Sequence, residues 1–203
     1  MNYIPESRIE AAAMELWMRY DLRPDFDVEL LLDDIGLSLL WEDIPDRDGK
    51  RVLGALQPNR GRILLNERYL HNLEGNPGLR RFTLCHECGH WIYHCGAARS
   101  GTLPLMVGDR ILCRDGSSHP MEQQANLFAS YLLMPTGHLR EAIPRRPWTG
   151  WRPVYGLAER FGTSAEAMII RLERLEWAHR DETGEPASGP PTVQGQGQLD
   201  LRY

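Results

Sequence analysis

The chain has 203 residues, with 23 lysines and arginines against 28 aspartates and glutamates, a formal net charge of −5. At 42% apolar and 25% charged it has the balance of a globular domain that buries a core without cross-links. The charge excludes a chain that holds nucleic acid by a basic overall field, and no apolar run approaches the roughly 18 residues that span a bilayer.

Ile9, Ala12, Ala13, Leu16, Trp17 and Tyr20 fall at helical spacing, which predicts a first helix after Pro5 and Glu6. A short second helix over 28–34 has Asp27 to cap it and Gly36 to end it. Leu37–Trp41, Val52–Leu56 and Arg62–Asn66 read as three strands separated by turns rich in Pro, Asp, Asn and Gly, a small antiparallel sheet. After Gly75-Asn76-Pro77-Gly78 a long helix is expected from about 79 to 95. Next come a hairpin turning at Gly108-Asp109 and a helix from Pro120 that stops before Pro135. A connector rich in Pro and Trp over 144–151 leads to two more helices, 154–161 and 165–177. Residues 181–203 hold four Gly, three Pro and three Gln, too little apolar area to offset ordering, so a disordered tail is expected there.

The opening residues, Met1-Asn2-Tyr3-Ile4-Pro5-Glu6, lack the charged and apolar regions of a secretory signal, so a cytoplasmic location is expected. There the four cysteines, Cys85, Cys88, Cys95 and Cys113, would stay reduced. Their spacings, with two, six and seventeen residues between them, match no standard zinc finger. Packing is the preferred reading over a structural metal or redox role, with Cys88 pointing away from its histidine neighbours.

The long helix carries His86-Glu87-Cys88-Gly89-His90, an H-E-x-x-H pattern with apolar flanks at Phe82, Leu84, Trp91 and Ile92. Residues four apart on a helix share a face, so both imidazoles can reach one metal ion at about 2.0–2.1 Å. Glu87 sits beside them, placed to take a proton from an activated water without ligating the ion. A hydrolytic zinc site needs a third protein ligand and an open position. Glu122 is the best candidate, because Ala125, Asn126 and Ala129 give its helix face small or polar side chains that allow close approach. Residue chemistry alone leaves His94, His119 and Asp115 in competition.

Phe82 to His94, followed by Glu122-Gln123-Gln124-Ala125-Asn126-Leu127-Phe128-Ala129 and Leu132-Leu133-Met134-Pro135, resembles the ImmA/IrrE family of metallopeptidases. The strands around Leu53-Gly54-Ala55-Leu56 and Arg62 to Asn66 are similar to that family's sheet, and the likeness runs from about Ile4 to Leu175. It implies an α+β, zincin-like fold with an active-site H-E-x-x-H helix and helix-turn-helix-like C-terminal helices. It implies Zn2+ held by His86, His90 and Glu122, with Glu87 catalytic. It also implies a protein substrate, a helix-turn-helix transcriptional repressor cleaved to derepress genes in a stress or mobile-element response. Cys85 and Cys88 depart from the small or aliphatic residues usual there, but the expected ligands are intact.

Residues 1–136 are expected to form the peptidase domain and 137–180 a helical subdomain. The latter holds eight Arg and five Glu from Gly137 to Arg180, a local charge of 8 − 5 = +3. So modest a charge favours a bracket that packs on the peptidase over a DNA-contacting element. Two rivals remain: a metal-bound module that sequesters a repressor or binds DNA without cutting, and a structural zinc protein built on the cysteines. An extended substrate would add to the sheet edge near Leu103–Cys113.

Overall fold

The computed structural model describes residues 4–99, 106–107, 110–114 and 119–190. The chain opens with α1 (Glu6–Arg19) and α2 (Val28–Asp34). Asp27 accepts hydrogen bonds from the Glu29 and Leu30 amides and so caps α2. Three strands follow: β1 (Ser38–Glu42), β2 (Val52–Gln57) and β3 (Arg62–Asn66). A 3-10 turn at Glu67–Tyr69 and α3 (Leu70–Gly75) then lead to α4 (Pro77–Arg99). Asn76 accepts from the Leu79 amide at 3.0 Å, and Pro77 sits where a missing N–H costs nothing. Two short strands, β4 (Met106–Val107) and β5 (Arg110–Arg114), precede α5 (Pro120–Leu133) and α6 (Thr136–Ala142). The described chain ends with α7 (Arg152–Phe161), α8 (Ala165–Arg174), β6 (Ala178–Arg180) and β7 (Pro186–Ser188).

The sheet is mixed rather than antiparallel. Its order is β1-β3-β2-β5-β4, with β1 parallel to β3 and the other neighbours antiparallel. The burial of each strand explains the order. All six residues of β2 are buried, which requires a neighbour on either side. Every residue of β1 is at least partly exposed, so β1 takes an edge and its connection to β2 crosses over β3. Asn66 fixes that crossover. Its buried amide donates to the Ile44 and Val52 carbonyls at 2.7 and 2.6 Å and accepts from the Ile44 amide at 3.0 Å.

One continuous apolar cluster runs through α1, α2, α4, α5, α7 and α8. The sequence reading missed α3 and α6, whose apolar residues are too few to set a period; Leu73 and Leu139 are their buried anchors. It also assigned residues from 181 onwards to an unstructured tail. Instead β6 and β7 form a hairpin in which Ala178, His179 and Arg180 pair with Ser188, Ala187 and Pro186. Asp181 shapes its turn by accepting from the Thr183 and Glu185 amides, and Ser188 bonds both ways with the Trp148 backbone. Composition averaged over 23 residues hides so local an arrangement. The expected turn at Gly108-Asp109 and the stretch beyond residue 190 lie outside the described residues.

Candidate metal centre

α4 is buried on both of its long faces. Leu84, Cys85 and Cys88 enter the apolar core, while His86, Glu87, His90 and His94 are also buried, toward β2 and α5. Gly89 sets how near α5 comes. A Cβ there would stand 3.1 Å from the Ala125 Cα and 3.2 Å from the Phe128 Cβ. Gly54 does the same for the sheet: a Cβ on it would lie 3.0 Å from the Thr83 methyl and 3.4 Å from Glu87 Oε1. Two glycines thus let a strand and a helix close on the same few turns of α4.

This seam brings His86, His90 and Glu122 together, all buried, with their ligating atoms within 4.8 Å of one another. His86 Nε2 and His90 Nε2 are 3.0 Å apart. Glu122 Oε2 lies 3.4 Å from the former and Oε1 lies 3.1 Å from the latter. His86 Nδ1 meets Asn126 Oδ1 at 2.8 Å. An amide oxygen only accepts, so Nδ1 carries the proton and Nε2 keeps its lone pair. Two nitrogens and a carboxylate converging on one point form a donor set that suits zinc. The residues present fit a metal ion.

The electrostatics agree. Burial lowers the His90 pKa to about 4, against the pull of Glu122, so the ring is neutral and able to ligate. Burial opposes ionisation of Glu122, but the facing His86 and His90 rings outweigh it and hold the carboxyl well below the ordinary range. Glu87 is fully buried beside the cluster.

The other candidate ligands go elsewhere. His94 stands behind His90, with Nδ1 to Nδ1 at 2.9 Å, and its Nε2 meets Gln124 Oε1 at 3.0 Å. His119 precedes α5, and its Nδ1 accepts from the Met121 amide at 3.3 Å. Asp115 lies outside the described residues. Cys85, Cys88 and Cys95 are buried. Burial pushes the Cys85 thiol up to about 12 and the Cys88 thiol well above its usual value, which keeps both as thiols rather than thiolate ligands. Nothing is described of the Cys113 side chain. The sequence reading took Asn126 only as a small polar residue that permits close helix packing. Its spacing of four from Glu122 was the available signal, since it places both on one face of α5.

A groove of about 740 Å³ opens beside the centre, with His86, Asn126, Leu127, Phe82, Leu79 and Ile170 in its walls. Among the described residues no helix is long and apolar enough to cross a membrane.

The class of protein that this centre indicates is a metallopeptidase. Residues 32–173 match the model of the peptidase M78 family, described as the IrrE N-terminal-like domain. That match covers well over half of the chain, and the chain belongs to this family. A comparison with curated protein sequences returned no match.

Proposed function

We propose that the protein is a zinc-dependent endopeptidase whose substrate is another protein, with a helix-turn-helix transcriptional repressor as the favoured class. The observation that carries this reading is the buried meeting of His86, His90 and Glu122 with Glu87 alongside. His86 Nε2, His90 Nε2 and a Glu122 oxygen would hold the ion. Zinc bound there supplies Lewis acidity toward the scissile carbonyl and lowers the pKa of a coordinated water.

The remaining chemistry falls to the chain. Glu87 has no place among the three ligands, and its carboxylate takes the proton of the attacking water. The same oxygen then delivers that proton to the departing amine, so the acid is regenerated as a base in each turnover. Asn126 holds His86 in the ligating tautomer. The substrate segment lies in the groove, where Leu79, Phe82, Leu127 and Ile170 exclude water around it. Repressor cleavage rests on the family resemblance.

The test is incubation of the zinc-loaded protein with the helix-turn-helix repressor encoded nearest to it, read by mass spectrometry for a new terminus. A single new terminus made by wild type and lost in Glu87→Gln, with zinc retained, supports the reading. An intact repressor held in a stable complex by both proteins would replace it with the non-cleaving module.

A further inference from the structure

His94 and Gln124 are buried, and the metal ligand set does not include them. Gln124 sits two residues after Glu122 on α5, and His94 four residues after His90 on α4. The two side chains meet across the helix seam. His94 Nε2 is 3.0 Å from Gln124 Oε1, and His94 Nδ1 is 2.9 Å from His90 Nδ1.

The inventory of donors and acceptors settles the direction of these bonds. The Gln124 oxygen can only accept, so His94 Nε2 carries a proton. Burial disfavours a second proton on the ring, and a neutral imidazole has only one. His94 Nδ1 is therefore bare and accepts from His90 Nδ1–H. With its proton at Nδ1, His90 has a free lone pair at Nε2, the atom that lies 3.0 Å from His86 Nε2 and 3.1 Å from Glu122 Oε1. Each link dictates the next, from α5 back to the ion's position.

We propose that Gln124 and His94 form a tautomer relay that fixes His90 as an Nε2 ligand, making both of them positioning residues for the metal centre. The proposal rests on the reading of His86, His90 and Glu122 as ligands. The two ligating histidines are thereby oriented differently. Asn126 sets His86 directly, at 2.8 Å and from the exposed side of α5. His90 is set through an intermediate ring, wholly inside the protein. Ligand-orienting partners of this kind are worth about 10–100-fold in metal affinity.

Zinc affinity, measured by competition with a chromophoric chelator, separates the relay from a packing role. His94→Phe keeps a ring but has no acceptor, and zinc binding is expected to weaken by about 10–100-fold. His94→Asn puts an acceptor oxygen where Nδ1 stood and should bind within a few-fold of wild type. Nitrogen-15 spectra of the zinc-free wild type should report His94 protonated at Nε2 and His90 at Nδ1. Gln124→Leu should leave His94 as a mixture of tautomers, a readout that also serves if His94→Phe fails to fold. Unchanged zinc affinity in His94→Phe, or a wild-type His94 protonated at Nδ1, would overturn the relay. Failure of the underlying ligand assignment looks different: wild type and Glu122→Ala would then bind zinc equally, whatever the tautomers.

Discussion

At its N-terminal end α5 carries Glu122 to His86 and His90; near its C-terminal end it carries Tyr131 and the Met134 carbonyl to Arg171. Both places bury a charged group to about 1% exposure, yet they resolve the burial differently. Arg171 is satisfied by the protein. Its Nε donates to the Met134 carbonyl and its Nη2 to Thr136 Oγ1. Its guanidinium lies 4.3 Å from the centre of the Tyr131 ring. Tyr131 in turn donates to Glu6, which Arg174 grips at 3.0 and 2.6 Å. A cation beside the last carbonyls of a helix also suits the helix dipole. At the other end two histidine nitrogens and a carboxylate face one another, and a cation shared among them would turn mutual repulsion into coordination. A buried polar cluster closed on itself supports the fold, whereas one that leaves lone pairs converging is built to receive something.

The sharpest way to separate the two ends is to remove one group from each. Glu87→Gln is expected to lower the cleavage rate by about 10²–10⁴-fold, with zinc content by atomic absorption and the unfolding midpoint close to wild type. Arg171→Met should do the opposite. Loss of its buried hydrogen bonds and of the guanidinium over Tyr131 should cost about 3 kcal/mol in denaturant unfolding. The folded fraction should still bind one zinc per chain. A stable Arg171→Met that had lost zinc would erase the distinction.

Acid distinguishes the ends by a different route. In zinc-free protein the folded His90 pKa is lowered to about 4 from 6.5, so the unfolded chain takes up the proton first. The stability that this contributes is present above pH 6.5 and is lost as pH falls toward about 4. By linkage the loss between pH 7.5 and 5 is about 2 kcal/mol. His94, also lowered by burial, adds in the same direction. The Arg171 end is silent in this window, because Glu6 is lowered from 4.5 by its bonds to Arg174 and Tyr131 and weakens only below that. Urea titrations of zinc-free protein at the two pH values measure the difference, and an Arg171→Met background should leave it unchanged.

The smallest effect concerns the spacing of the seam. Gly89→Ala places a Cβ 3.1 Å from the Ala125 Cα and 3.2 Å from Phe128. The two helices must shift by tenths of an ångström, which should cost about 1–2 kcal/mol in thermal unfolding. Zinc affinity should fall as Glu122 moves away from the histidines, while the Arg171 cluster keeps its geometry.

The arginines of α8 and β6 are turned to internal partners: Arg171 to Thr136 and Met134, Arg174 to Glu6, and Arg180 to Glu166 and Glu173. Three of the eight arginines between Gly137 and Arg180 are thus turned to groups of the protein itself.

How far the sequence reached depended on how local each feature is. His86, Glu87 and His90 were legible because residues four apart on one helix must share a face, whatever surrounds them. Their helix, the capped α2 and the strand positions were legible for the same reason: period and turn chemistry act within a few residues. Glu122 was legible only as one candidate among four until the resemblance was weighed, since its approach depends on Gly89 and on the packing of α4 against α5. The parallel pairing of β1 with β3, the hairpin after residue 178 and the second roles of Gln124 and His94 were beyond sequence reading. Each depends on partners more than 20 residues away or on a hydrogen bond whose direction the fold sets.

By itself, then, the sequence determined which side chains could do metal chemistry. The tertiary structure decided which of them meet, because ligation is a condition on distance between elements, and only the closure of the α4–α5 seam sets those distances.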